Sequence, residues 1–453
     1  MSTNTHFGTE KLGKLLRGQA IPASIGILVM SIYGIVDTIF VGRWVGTLGI
    51  GAVAVVMPIT FLIASIGMAI GVGGASIISR AFGGENNEKA RQTFGNQVML
   101  TVILSVSFVL LGFLFQDTVL SIFGGKGDLL TPSREYFHII LYGIPFLAWG
   151  MMSNNVIRAE GYPTMAMLII LIPAVVNIIL DPILIVGFDM GIKGAAWATT
   201  ISYITSAAYA TWFFVFGKSE LRLNFKCFRP NIPIIKEIGA IGSVTFARQG
   251  VVSLLAIVLN NSLFVQGGEM AVSTYGIISR VMMFANFPVL GIAQGFVPVL
   301  GFNYGAKLFE RVNKLVTLSI RTATLIAFGI FTGIMVFTPQ LVNLFTTDPI
   351  LIEKSTIGLR LVFLATPLIA MNLLGSAYFQ AVGKAMPALL LTLTKQGFFL
   401  IPLLFILPSI FGLNGVWFAF PIADIGAALI TFWYLRKELR QLPVNNPSAI
   451  SEA

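Results

Sequence analysis

The sequence predicts an all-α, polytopic membrane protein: twelve transmembrane helices in two pseudo-symmetric six-helix bundles. Three observations carry that prediction. The chain of 453 residues is 56% hydrophobic and only 11% charged, too little charge to cover a water-facing surface of that size. Its apolar residues fall into twelve runs of about 20 or more, enough to cross a bilayer core at about 1.5 Å per residue. The second half of the chain also repeats the first.

In order, the runs of the first half cover 20–41, 50–78, 93–115, 135–157, 165–186 and 192–216. Those of the second half cover 238–265, 271–300, 316–337, 357–381, 387–410 and 415–435. The repeat is visible in aligned strings. R-A-E-G-Y-P-T-M-A-M-L from Arg158 pairs with Q-A-V-G-K-A-M-P-A-L-L from Gln380, and G-I-K-G-A-A-W-A from Gly191 pairs with G-L-N-G-V-W-F-A from Gly412. Gly67 and Gly71 match Gly291 and Gly295, and the offset stays between 221 and 224. An even repeat starts each half on the same side, so the halves are related by an axis along the membrane normal. The expected domains are a six-helix N-lobe over 1–225 and a six-helix C-lobe over 226–453.

The net charge of +10 could suggest nucleic acid, but its distribution excludes that reading. Alternating the gaps from a cytoplasmic N-terminus puts twenty of the 29 Lys and Arg residues inside. With residues near a run's end counted in the adjoining gap, six lie outside (Arg43, Lys126, Arg134, Lys193, Lys354, Arg360) and three fall deeper within helices (Arg248, Arg280, Lys395). This positive-inside bias predicts a multi-pass protein of the inner (plasma) membrane with both termini cytoplasmic. The basic loop holding Lys218, Arg222, Lys226, Arg229 and Lys236 reads as a topogenic, headgroup-contacting segment. The single cysteine, Cys227, excludes an internal disulfide. The first apolar run is longer than a signal-peptide core and lacks a small-residue cleavage pattern behind it.

Against this apolar background two acids stand out. Asp37 lies in the first run and Asp181 in the fifth, although a carboxylate costs about 2.5 kcal/mol or more at the centre of a membrane helix. The repeat mate of Asp37 is Asn261, and the matching stretch of the eleventh run, F-F-L-I-P-L-L, is apolar. The acid pair therefore belongs to the N-lobe alone. Rise per residue places Asp37 roughly 9 Å and Asp181 roughly 7–8 Å outward of mid-membrane, with Thr199 at a comparable level. Tyr33 precedes Asp37 by four residues and Asn177 precedes Asp181 by four, so each pair shares a helix face. Pro182 lacks a backbone donor and is expected to bend the fifth helix and free a carbonyl. Two carboxylates sheltered together titrate as a coupled unit, which makes the pair a candidate for proton coupling. The competing reading is that both snorkel to the outer interface.

Other polar residues carry weaker signals. Asp424 and Lys395 form a second polar site in the C-lobe, read first as a structural ion pair and second as another coupling site. G-V-G-G-A at Gly71 is a close-packing signal, not a nucleotide loop. No P-loop is present, and with only His6 and His138 there is no Cys/His metal cluster. The chain is thus not expected to be an enzyme, and no cofactor is expected. Twofold architecture favours a transporter.

These features resemble the multidrug and toxic compound extrusion (MATE) family over nearly the whole chain. The resemblance rests on the twelve helices, the A-E-G and V-G-K-A-M-P segments after the fourth and tenth helices, and N-x-x-x-D-P in the fifth. It is nearest to the prokaryotic branch with N-lobe acids. It implies a monomeric antiporter that exports amphipathic, cationic drug-like compounds by alternating access in exchange for protons, with sodium as the alternative ion. It implies coupling roles for Asp37 and Asp181 and supporting roles for Asn177, Thr199 and Asn154, or Asn155 in place of Asn154, with Tyr136 lining the cavity. The branch with cation-binding acids in the C-lobe fits less well, because Gln249 and Asn372 stand where acids would be. A flippase for lipid-linked oligosaccharides is the other transporter reading; it would need more Arg and Lys at cavity depth.

Overall fold

The computed structural model describes residues 6–222 and 228–443. The expected break at 225/226 and Cys227 lie outside the described residues. All regular structure among the described residues is helical, as it must be where no water is available to satisfy the backbone.

The first six spans are α1 (Leu12–Trp44), α2 (Thr47–Gly83), α3 (Asn87–Leu114), α4 (Leu130–Ala159), α5 (Pro163–Asp181, continued by Pro182–Gly187) and α6 (Gly191–Phe216). Next comes Ile232–Gly305, broken at Gly268, whose φ of 62° lies in the left-handed region that favours glycine. The parts before and after that break are α7 and α8. Then follow α9 (Phe309–Asn343) and α10 (Pro349–Phe363 and Ile369–Ala381, joined by a 3₁₀ turn at Thr366–Leu368). The last two are α11 (Ala385–Leu393, Thr394–Leu400 and Ile401–Phe411) and α12 (Leu413–Arg440). Each expected run appears as a helix, mostly longer at its ends because polar end residues extend it past the apolar stretch. The chain is therefore a multi-pass membrane protein. Ile103, Leu110, Leu114, Phe216, Val265, Leu344 and Leu429 are each more than half exposed, an apolar surface suited to acyl chains.

The chain forms two compact units. One is built on Ile25–Thr245; the other joins Phe7–Ser24 to the residues from Phe246 onward. α1 and α7 are therefore each divided: α1 up to Ser24 belongs to the second unit and the start of α7, up to Thr245, to the first. Glycines make the close approaches within each unit. A Cβ at Gly73 would sit 2.3 Å from Ile238 O and one at Gly242 2.6 Å from Ala69 O, joining α2 to α7. In the second unit a Cβ at Gly295 would sit 2.8 Å from Gln19, joining α8 to α1. The close-packing reading of the Gly71 segment fits this geometry.

In the first unit α4 packs against both α2 and α6, and α5 leans on α6. Val56, Ile59, Ile63, Phe137, Ile140, Ile144 and Ala196 form the core there. The second unit has a corresponding core around Leu259, Ile278, Leu359, Val416, Trp417 and Phe420.

Candidate acid-pair site in the first unit

Pro182 has the expected consequence. A proline cannot donate to the carbonyl four residues back, and the chain from Pro182 to Gly187 widens into a π turn, closed by Phe188 N–H to Ile183 O at 2.9 Å. Asp181 is the last α-helical residue before that turn and is fully buried. α1 presents Tyr33 and Asp37 one turn apart, and Asp37 is 9% exposed. Neither acid snorkels: both carboxyl groups are buried, and they lie within interaction range of each other. Two ionised carboxylates sheltered at such range repel one another, so the pair favours a proton or another cation between them.

Three helices complete the setting. Asn177, one turn before Asp181, is fully buried. In the amide orientation that satisfies both of its ends, Asn177 donates to Asp181 Oδ2 at 2.9 Å and accepts from the Thr199 backbone N–H at 3.2 Å. The Thr199 hydroxyl donates to Ala195 O at 3.0 Å within α6. Tyr136 of α4 lies within interaction range of Thr199. Tyr33, Tyr136 and Tyr203 all stand within electrostatic reach of Asp37. Tyr203 fits because Gly143 faces it, where a Cβ would come within 3.1 Å of its ring. Asp37 Oδ1 is buried with no hydrogen-bond partner among the described residues.

The structure therefore brings together Asp37, Asp181, Tyr33, Tyr136, Asn177 and Thr199. It adds Tyr203, which sequence reasoning missed. A signal existed: Tyr203 lies four residues after Thr199 and shares its helix face.

Asn154 is not brought to this site. It lies 18 residues along α4 from Tyr136, about 27 Å at the helical rise, and donates to Ala166 O instead. Its repeat mate makes the same link: Ser376 donates to Ala388 O at 3.2 Å, both partners displaced by 222 residues. This is a tie between successive helices kept in each half. Asn155 donates to Met151 O at 2.9 Å within its own helix and does not reach the acids either. In the second unit Lys395 Nζ meets Asp424 Oδ1 at 2.6 Å.

The polar devices at the other end of the helices are structural. Glu160, just past α4 and 1% exposed, accepts from Ser219 Oγ at 2.9 Å and from the backbone N–H groups of Glu220 and Leu221 at 2.9 and 3.0 Å. Burial pushes its carboxyl up to about 7, against those hydrogen bonds, which favour the ionised form.

The MatE family profile matches the chain twice, over residues 22–183 and 244–406, once in each half of the repeat. The multidrug export protein MepA of Staphylococcus aureus (strain N315) is 30% identical over 441 residues, covering 96% of each chain. MepA of Staphylococcus haemolyticus (strain JCSC1435) is 27% identical over 445 residues, 98% of each. Among solved structures, an outward-facing multidrug resistance MATE family transporter of the MOP superfamily superposes with a TM-score of 0.92 at 26% identity. That superposition covers 98% of this chain and 99% of the other.

Proposed function

The chain belongs to the MatE family of transporters, and from that premise we propose that it exports amphipathic, cationic, drug-like compounds across the plasma membrane in exchange for protons. It works as a monomer by alternating access, with both termini in the cytoplasm and Asp37 and Asp181 as the coupling site. The relatives named for multidrug export support the substrate class.

One observation carries the coupling reading: two buried carboxyl groups within interaction range of each other, an arrangement that favours a proton or cation between them. A cationic substrate and that proton compete for the same negative charge. With the proton gone, both carboxylates are ionised at close range and attract a cation strongly. When a proton returns from outside, one acceptor is lost and the substrate cation is released outward. Each unit of pH gradient supplies about 1.4 kcal/mol per proton, and 100 mV of membrane potential adds about 2.3 kcal/mol per charge moved. Asn177 and Thr199 hold Asp181 in place, so the rearrangement falls on α1, whose Asp37 retains an unpartnered oxygen.

Sodium is the second reading. Carboxylate, amide and hydroxyl oxygens converge here, and hard cations take oxygen donors. The test is dye efflux into everted vesicles energised separately by a pH gradient and by a sodium gradient. The expected result is transport with the pH gradient alone, lost in Asp37→Asn. Transport driven by sodium alone would replace the proton in this account, and undiminished export by Asp37→Asn would remove the acid pair from it.

A further inference from the structure

The second unit holds a buried polar cluster of a different kind. Asp424 of α12 is 3% exposed and Asn372 of α10 is 8% exposed. Asn372 Nδ2 donates to the Asp424 backbone oxygen at 3.4 Å. That bond fixes the amide, because only its nitrogen can donate to a carbonyl, and it leaves Asn372 Oδ1 buried with no partner among the described residues. Lys395 Nζ closes on Asp424 Oδ1 at 2.6 Å, its side chain 22% exposed where that of Asp424 is 4%. The lysine comes from the π turn Thr394–Leu400, which precedes Pro402, a residue that cannot donate to the carbonyl of Phe398.

A buried ion pair that served only to join helices would be expected to have its surrounding polar atoms satisfied, since each orphan costs free energy. Here an acceptor is left over on the residue that is bonded to the backbone of Asp424. The cation that neutralises the carboxylate rides on a flexible four-carbon stem with an exposed side to retreat to. We propose that Asp424 and Asn372 form a binding site for organic cations with N–H donors, ammonium or amidinium, and that Lys395 is its tethered competitor. An incoming amidinium donates one N–H to Asn372 Oδ1 and another to the Asp424 carboxylate, and Lys395 swings away. The site goes beyond the coupling reading and does not rest on it, because it lies wholly in the second unit and needs no proton.

The test uses the full chain carrying Asp37→Asn and Asp181→Asn, so that the acid pair contributes no carboxylate. Binding of a dansyl-labelled amidine is followed by fluorescence anisotropy. Adding Lys395→Met removes the competitor and should tighten binding at least tenfold. Adding Asp424→Asn as well should reverse the gain, and a dansyl-labelled trimethylammonium, which has no N–H for Asn372, should gain less. Unchanged or weaker amidine binding by the Lys395→Met chain would overturn the proposal. A second measurement uses the unmutated protein. The amidine should raise acylation of Lys395 by a small amine-selective reagent several-fold, read site by site by mass spectrometry, because the displaced ammonium no longer sits on Asp424. Protection of Lys395, or no change, would also overturn it.

Discussion

The two halves of the molecule put buried carboxylates on the same scaffold and neutralise them differently. In the first, Asp181 stands just before a π turn in α5 and Tyr203 faces the site from α6. In the second, α11 carries a π turn ahead of Pro402, and position 424 of α12, offset from Tyr203 by 221 residues, is the acid. The acid of the second half has a lysine at 2.6 Å. Among the described residues, the acids of the first half have no cationic side chain in an ion pair with them. A carboxylate with its own lysine is compensated without a proton, whereas two carboxylates facing each other need a cation from outside. The difference teaches that the repeat supplies the frame, and that one charge change decides whether a buried acid responds to a gradient.

Breaking the first half should have the largest effect. Asp181→Asn, like Asp37→Asn, leaves a pair that never needs a proton, and gradient-driven efflux should fall to background while thermal unfolding stays cooperative. Making the first half resemble the second should come next. Tyr203→Lys sets an ammonium beside the acids, and we expect efflux to fall at least tenfold and the remaining dye binding to lose its pH dependence. A smaller effect is expected at Glu160. Its raised value means that the ionised form is the one burial penalises, so stability is lost as pH rises through about 7. A melting series from pH 5 to 8 should show that loss up to about pH 7 and a plateau above it, and Glu160→Gln should flatten the slope. The smallest effect belongs to Asn154→Ala. It should cost about 1 kcal/mol of stability for one lost hydrogen bond and leave drug recognition unchanged, and Ser376→Ala should behave alike.

The sequence made the helices and the repeat legible because lipid forces long apolar runs, and because Gly161 and Gly383, or Gly191 and Gly412, occupy matching turns. It made most of the site legible too, through four-residue spacings that put Tyr33 with Asp37 and Asn177 with Asp181. Asn154 was misplaced because resemblance outweighed the rise along α4, which separates it from Tyr136 by five turns. Tyr203 was passed over because an aromatic in a membrane helix looks like lipid-facing surface until Gly143 is found opposite. The approach of the two acids to each other, and the division of α1 and α7 between units, depend on packing between distant segments. No local pattern encodes them.

The central claim is that a cationic substrate and a proton exclude one another at Asp37 and Asp181. Its most direct measurement is proton release from the purified, weakly buffered protein when a cationic dye is added near pH 7. The account predicts about one proton released per dye bound, and none from Asp37→Asn. Tight dye binding with no proton released by the unmutated protein would contradict it.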